Sequence, residues 1–435
     1  MSRPMSDHKP ASGRDGRFLG YLILSAVSSL GATAVYLATA VLAATAAGDD
    51  LGEKARITSL VFSLNLVLRS LAIPYATRIA RKIGTVRTIC LVKIGSVSVT
   101  FIAGILLTID EAGGSILPVL LGYGGLVGLL SGIKKPLNPP LLECYSGLSL
   151  DDATARNRMF YGAASAVGAL AGGFAIDEFG AEPLYFVGAV LAIPAVIFLA
   201  LLPPRTTLPR PKTVVHPWRD MVNCLRSSRP LRSAVWLGLA SAILLGPLIT
   251  MIVPILNQLG HNDAKKAGLV LTIVAAGQVL TPFVVRRLQR GRASLVAATR
   301  AVQITSVALL LLSGLVFIGA SDRFYLLVVC LFIFGAVFFS VSSFLYVSAT
   351  RGVSGEEENE YLATYMLVTG LGAPVGTLIW GHALGSVSLE IFFLAVSIAA
   401  AIIVPGLLRR ALRRANANKQ ADLQAAQAES RSDSR

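Results

Sequence analysis

Residues Ile57–Gly84 read ITSLVFSLNLVLRSLAIPYATRIARKIG, a long apolar run broken by one cation, Arg69, and closed by a basic cluster. A bilayer span needs about 20 mostly apolar residues, and this run supplies them. Its eleven Leu, Ile, Val and Phe residues before Arg81 outweigh the central arginine. They are worth roughly −3 to −7 kcal/mol of insertion against roughly +3 for the Arg. The segment therefore reads as a membrane helix carrying a charge at depth. Arg69 follows Ile57 by 12 residues, which is about 18 Å at about 1.5 Å per residue.

Runs of the same kind fill the chain. Of its 435 residues 54% are apolar and 14% charged, with a mean hydropathy of +0.68. That leaves no stretch for a folded soluble domain. Apolar runs set against their breakers predict twelve spans. These are 18–47, 57–79, 88–108, 116–144, 159–176, 184–202, 234–256, 267–285, 295–319, 324–347, 362–384 and 389–408. Lipid offers backbone groups no partner, so the spans are expected to be helices, and no short alternating strand segments suggest a barrel. The first run is too long for a signal-peptide core and is expected to stay as the first span.

The cations orient this stack. With the N-terminus placed inside, 31 of the 39 Lys and Arg fall in inner segments and five in outer loops. The positive-inside rule then puts both termini in the cytoplasm. The expected organisation is a tail (1–17), a six-helix bundle (18–202), a Pro- and Arg-rich linker (203–233), a second bundle (234–408) and a tail (409–435). The linker admits a short surface helix near Trp218–Leu225, and the Ala-, Gln- and Ser-rich stretch after Arg414 is expected to fray.

The two halves repeat. Gly84 and Gly291 follow spans 2 and 8 at an offset of 207; Lys93 and Arg300 open spans 3 and 9 at the same offset. Gly168-x-x-x-Gly172 in span 5 corresponds to Gly372-x-x-x-Gly376 in span 11. Two parallel six-helix repeats predict a substrate site at their interface and alternating access to it.

Several motifs bear on what is carried. Lys134–Asn157 reads KKPLNPPLLECYSGLSLDDATARN, span 11 holds Pro374, Gly376 and Gly381, and span 1 holds Ser29-Leu30-Gly31. With the twelve spans and the repeat, the chain resembles the major facilitator superfamily over essentially its whole length. Within it the chain is most similar to the macrolide-efflux branch of the drug:proton antiporters. That resemblance implies the major facilitator fold and an exporter. The chain also departs from the pattern. Arg81 and Thr77 stand where the loop after span 2 normally has Asp and Gly, and Ala169 replaces the proline of the span 5 antiporter motif. Ala32 stands where the branch often has Asp. These departures loosen the implication of proton antiport.

A proton-driven carrier ordinarily needs a carboxylate in its cavity. The predicted spans hold none near mid-depth; Glu143 sits at the inner end of span 4, and Asp177, Glu178 and Glu390 lie in loops or at outer helix ends. Coupling to protons or sodium then uses an edge carboxylate such as Glu143 or no proton site. Arg69 has three readings: it faces a wet cavity and binds substrate, pairs with a carboxylate such as Glu143, or snorkels. Asn65, one turn away, and Gln278 in span 8 are its expected companions in binding an anionic or hydrogen-bonding group. Lys93 and Arg300 are candidates for coupling or entry, with snorkelling to inner headgroups as the plain alternative. Lys134 and Lys135 reach the inner edge and read as anchors or entry-funnel cations rather than binding residues.

Where basic loops holding Arg81, Gly84, Arg286 and Gly291 face acidic loops holding Asp152 and Glu360, two readings stand: a cytoplasmic gate, or solvated surface charges worth little. Gly124, Gly128 and Gly132 form one close-packing face of span 4. The expected function is secondary active transport, the efflux of a small amphipathic or partly anionic compound such as a drug, antibiotic or siderophore-like metabolite. An uptake carrier or facilitator on the same fold is the alternative. A polytopic enzyme or receptor is disfavoured, because His8, His216, His261 and His382 converge with no Cys or Asp at depth, and there is no Walker motif for a pump. No enzyme activity, cofactor, metal or nucleic-acid partner is expected. The expected partners are the bilayer and a small molecule, and the expected state is a monomer in a bacterial inner (plasma) membrane.

Overall fold

The computed structural model of the chain describes residues 14–109, 116–146, 150–202, 217–290, 294–318, 323–349 and 356–432. Every regular element among them is helical. The first half runs α1 (Arg14–Thr45), α2 (Leu51–Ile83), α3 (Thr85–Ile109), α4 (Ile116–Lys134), α5 (Asn138–Ser146), α6 (Leu150–Phe179) and α7 (Pro183–Leu201). A linker helix, α8 (Pro217–Ser227), precedes the second half. That half opens with α9 (Arg229–Leu244), α10 (Pro247–Thr250), α11 (Ile252–Gln258), α12 (Ala264–Val279) and α13 (Thr281–Gln289). It closes with α14 (Ser294–Ile318), α15 (Arg323–Ala349), α16 (Glu356–Leu384) and α17 (Leu389–Ser432).

Eleven of these helices are long and apolar enough to cross a bilayer, and α12 with α13, bent by 44°, make a twelfth. Large apolar side chains stay exposed along them, among them Leu91, Phe174, Val190, Ile197, Leu311 and Ile402. On a water-facing surface such patches would be a liability; on these helices they meet lipid tails. An even number of crossings leaves both ends of the chain on one face, here called the terminal face.

Four details differ from the sequence-based expectation. Span 4 is not one helix over 116–144: α4 stops at Lys134 and α5 restarts at Asn138. Pro136 has no N–H to donate and disfavours helical backbone at Lys135, so the chain turns there. Span 7 is broken at Gly246-Pro247 and again at Met251. Span 8 bends at Leu280, next to Pro282. The tail does not fray at Arg414, because α17 continues to Ser432. Its Ala, Gln, Glu, Lys and Arg are strong helix formers, and that propensity prevails over its polarity.

Glycine faces set the interhelical distances, since lipid gives no hydrophobic drive for helices to pack. In the first half, a Cβ on Gly128 would overlap the Asn65 carbonyl and one on Gly132 the Arg69 carbonyl, both on α2. Gly335 of α15 lies in the same way against the Val274 carbonyl of α12. The second correspondence is equally direct. Gly168 of α6 meets Leu30 of α1, and its mate Gly372 of α16 meets Leu239 of α9. Spans 4 and 5 pack in their half as spans 10 and 11 pack in theirs, which is the internal repeat in three dimensions.

The halves join along two seams. In one, α2 lies on α16: Ser63 Oγ donates to the Pro374 carbonyl at 3.2 Å, and Gly52 packs on Gly385. In the other, α6 lies on α12, where Thr272 Oγ1 donates to the Ala166 carbonyl at 2.9 Å. On the face opposite the termini this second seam ends in a cross-half cap. The Asp177 carboxylate of α6 accepts from the Ala264 and Lys265 backbone N–H groups at 3.1 and 3.2 Å, the first turn of α12. Lys265 Nζ also reaches Glu178 Oε1 at 3.2 Å. A carboxylate there satisfies otherwise orphaned donors and meets the positive end of the helix dipole.

Two outcomes follow from this packing. Gly132→Ala should destabilise the detergent-solubilised protein by about 1–3 kcal/mol, as overpacking does. Gly122→Ala, which has open space around it, should leave the melting temperature unchanged. Equal melting temperatures for both variants would contradict the close-packing account. Asp177→Ala should weaken closure of the face opposite the termini by about 1 kcal/mol, the worth of a helix cap. Spin labels at Phe179 and Asn262 would then show a larger long-distance population; an unchanged distribution would mean the cap does not hold that seam.

Candidate functional site

Between the two halves lies a cavity of about 280 Å³. The first half contributes Leu66, Arg69, Ser70 and Ile73 from α2, and Lys135 from the turn after α4. The second half contributes Gly238, Ser241 and Ala242 of α9, Phe338, Phe339 and Ser342 of α15, and Tyr365, Thr369 and Gly370 of α16, among others. Where α2 crosses α16, Gly370 accommodates Ser70, and Phe338 and Phe339 of α15 line the same space.

Arg69 is the central feature. Its Nε is buried with no hydrogen-bond partner, an expensive arrangement for a guanidinium unless an anion or water meets it. Its backbone is fixed because Gly132 packs against its carbonyl. Lys134 and Lys135 both feel the charge of Arg69, and Lys135 also that of Arg158. No carboxylate is among the lining residues that the structure describes. Several lining hydroxyls are already committed as donors to their own helices: Ser70 to Leu66, Ser241 to Leu237, Ser342 to Phe339 and Thr369 to Tyr365. They hold the wall polar without competing for an anion. Among the described lining residues, the remaining side-chain donors belong to Arg69, Lys135 and the Tyr365 hydroxyl.

The expected companions of Arg69 are placed differently. Asn65 Nδ2 donates to the Gly124 carbonyl at 2.7 Å and so ties α2 to α4. Gln278 is buried on α12 beside the bend and is not among the cavity-lining residues. The repeat mates Lys93 and Arg300 diverge. Lys93 is buried and donates to Ser28 Oγ at 2.7 Å, while Arg300 is exposed. Headgroup snorkelling therefore does not describe Lys93.

Lys135, read from spacing as an anchor or entry-funnel cation, lines the cavity. The signal in the sequence is Pro136, which ends the helix at the turn that holds Lys135.

At the terminal face the proposed gate is only partly in view. Arg81 and Arg286 are exposed. Gly84 closes α2 with φ of 92°, and its N–H donates to the Ala80 carbonyl at 2.8 Å. Gly291 and the side chains of Glu143, Asp152 and Glu360 lie outside the described residues. The halves do touch near this face. Arg158 of α6 donates to Ser343 Oγ of α15, and Ile73 of α2 is buried with Ala363 and Leu367 of α16. The four ion pairs among the described residues all lie on the opposite face, at Glu53–Arg56 and around Lys265 and Lys266. A smaller cleft there is lined by Lys54, Asn257, His261 and Asp263. His261 is held below the usual imidazole range by partial burial and by the Lys266 charge.

Known proteins share this architecture. The nucleoside transporter NupG, as a point variant, superposes with a TM-score of 0.69 at 13% identity, over 90% of this chain and 99% of its own. The human organic anion transporter MFSD10 (TETRAN) gives 0.66 at 16% identity, over 89% and 99%. A D-xylose–proton symporter gives 0.66 at 12% identity, over 88% and 97%. No protein of curated function matches the sequence significantly. At these identities the structural likenesses establish the fold. The sequence model for the Major Facilitator Superfamily, however, matches residues 21–377. Twelve crossings, two repeated halves with a cavity between them and a family match over most of the chain agree: it belongs to the Major Facilitator Superfamily and is a multi-pass membrane transporter rather than an enzyme.

Proposed function

We propose that the chain is a secondary active exporter of a small amphipathic solute bearing an anionic group, working by alternating access around the Arg69 cavity. The observation that carries this reading is the buried, unpartnered Arg69 Nε at the wall of a cavity shared by both halves. Such a charge favours an anion strongly where water is scarce. Phe338, Phe339 and Leu66 offer the rest of the solute an apolar surface. At about 280 Å³ the space lies just under the range of about 300–1,000 Å³ common for small-molecule sites. That supports a compact cargo, smaller than a macrolide, even though the motifs most resemble the macrolide-efflux branch. The human organic anion transporter on the same fold is consistent with anionic cargo.

Roles in the cycle follow from position. Asn65 holds α2 at the spacing Arg69 needs, and Gln278 stands beside the α12 bend, where a change of angle would move it. Lys93 and Arg300 act near the terminal face, in coupling or entry. Glu143 is the proposed protonation site if the cycle uses protons, and sodium is the other candidate ion. Arg81, Gly84, Arg286 and Gly291, with Asp152 and Glu360 opposite, form the proposed gate. With that face in the cytoplasm, the protein works in a bacterial plasma membrane, as a monomer.

Proteoliposomes with an imposed pH or sodium gradient, tested singly against a panel of antibiotics and siderophore-like anions, examine the whole reading. Transport should be driven by one of the two gradients. Arg69→Gln should lower the rate at subsaturating substrate by at least about tenfold, the cost of removing one member of a buried charge pair. Downhill flux indifferent to both gradients would favour the facilitator alternative. Wild-type apparent affinity in Arg69→Gln would remove Arg69 from the site.

A further inference from the structure

The cavity holds a second cation that substrate binding by Arg69 alone does not use. Lys135 lines the same space, on the turn that Pro136 forces between α4 and α5. Neither Arg69 nor Lys135 forms an ion pair with any described carboxylate. Lys134 and Arg158 add positive potential around them. The described carboxylates of the helices and loops stand on the other side of the bundle, at Asp49, Asp50, Glu53, Asp177, Glu178, Glu182, Asp263 and Glu390.

Two like charges lining one cavity repel, and each is costly unless compensated. A monoanion would compensate one and leave the other half-buried with no counter-charge among the described residues. A group carrying two negative charges compensates both. Its three terminal oxygens also suit the donor types: a planar guanidinium takes two in a fork, an ammonium takes the third as a point charge, and the Tyr365 hydroxyl can add a hydrogen bond to any of them. Phe338 and Phe339 then face whatever apolar body the group carries.

Building on the anion-carrier reading above, we propose that Arg69 and Lys135 together form a two-pronged site selective for dianionic oxyanions of the phosphate-monoester or phosphonate class, with Lys135 setting the preference over monoanions. The two cations come from different elements, α2 and the α4–α5 turn, and are held together by the packing of Gly132 on the Arg69 carbonyl. Both cations belong to the first half, so rocking of the halves would keep the prongs together and carry the Phe338, Phe339 and Tyr365 wall away from the bound dianion.

Binding to the full-length protein in nanodiscs by titration calorimetry at low ionic strength, slightly above neutral pH, tests this with three probes of one ring: phenyl phosphate, benzoate and benzyl alcohol. Phenyl phosphate should bind at least about tenfold more tightly than benzoate, and benzyl alcohol more weakly than either. Lys135→Gln should weaken both anions but phenyl phosphate by at least about tenfold more than benzoate, so that the two affinities converge, and Lys135→Arg should restore the preference. Arg69→Gln should weaken both anions. The melting temperature of each empty variant, measured alongside, shows that it is folded. Benzoate binding that depends on Arg69 with no preference for phenyl phosphate, or a preference that survives Lys135→Gln, would overturn the two-pronged site and leave the anion carrier standing. Anions binding no better than benzyl alcohol, with no effect of Arg69→Gln, would overturn both.

Discussion

A guanidinium held at mid-depth in a bilayer needs water or an anion, and hydrocarbon supplies neither. Arg69 imposes that condition on the whole molecule. Span 2 inserts despite it because its apolar residues outweigh one central cation. Once inserted, the helix must turn Arg69 away from lipid, and the structure turns it into the space between the halves. The apolar exterior, the polar wall of hydroxyls already satisfied by their own helices and the second cation at Lys135 are all arranged around that condition.

The neighbours of Arg69 are held by contact rather than by hydrophobic burial. Helices in lipid gain little from hiding apolar surface from one another, so close approach of backbones has to supply the cohesion. Gly128 and Gly132 lie directly against the Asn65 and Arg69 carbonyls, and Asn65 adds a hydrogen bond to Gly124. The same residues that look like binding candidates along the helix are thus partly structural: Asn65 steadies the platform and Arg69 projects from it. On the face opposite the termini, Asp177 plays a comparable structural part by capping a helix that belongs to the other half.

Much of this was legible in the residues alone. Apolar run length foretold the spans, and the four-residue spacing of Gly124, Gly128 and Gly132 foretold a packed face. Offsets near 207 foretold the repeat that the Gly168–Leu30 and Gly372–Leu239 contacts display. What could not be read depended on tertiary placement. Lys93 and Arg300 occupy equivalent positions in their repeats, yet one is buried against Ser28 and the other exposed, because facing direction is not encoded in spacing. Asp177 finds its partners 87 and 88 residues away, across the boundary between halves. Lys135 differs for another reason: a helix count carried through Pro136 sets the lysine at the membrane edge, whereas the turn at that proline leaves it on the cavity wall. In the tail after Arg414 helix propensity prevails over polarity.

The account stands on a wet central space reached from one side at a time. Its most direct test places a single cysteine at Ser342, inside the cavity, with Cys90, Cys144, Cys224 and Cys330 replaced by Ser. Protein reconstituted in one orientation is then exposed to a membrane-impermeant thiol reagent from each side in turn. The cysteine should react from only one side at rest, and the reactive side should switch when a driving gradient is imposed. A cysteine that stays inert from both sides under either condition would show that no water-filled passage exists there, and the carrier mechanism would fail with it.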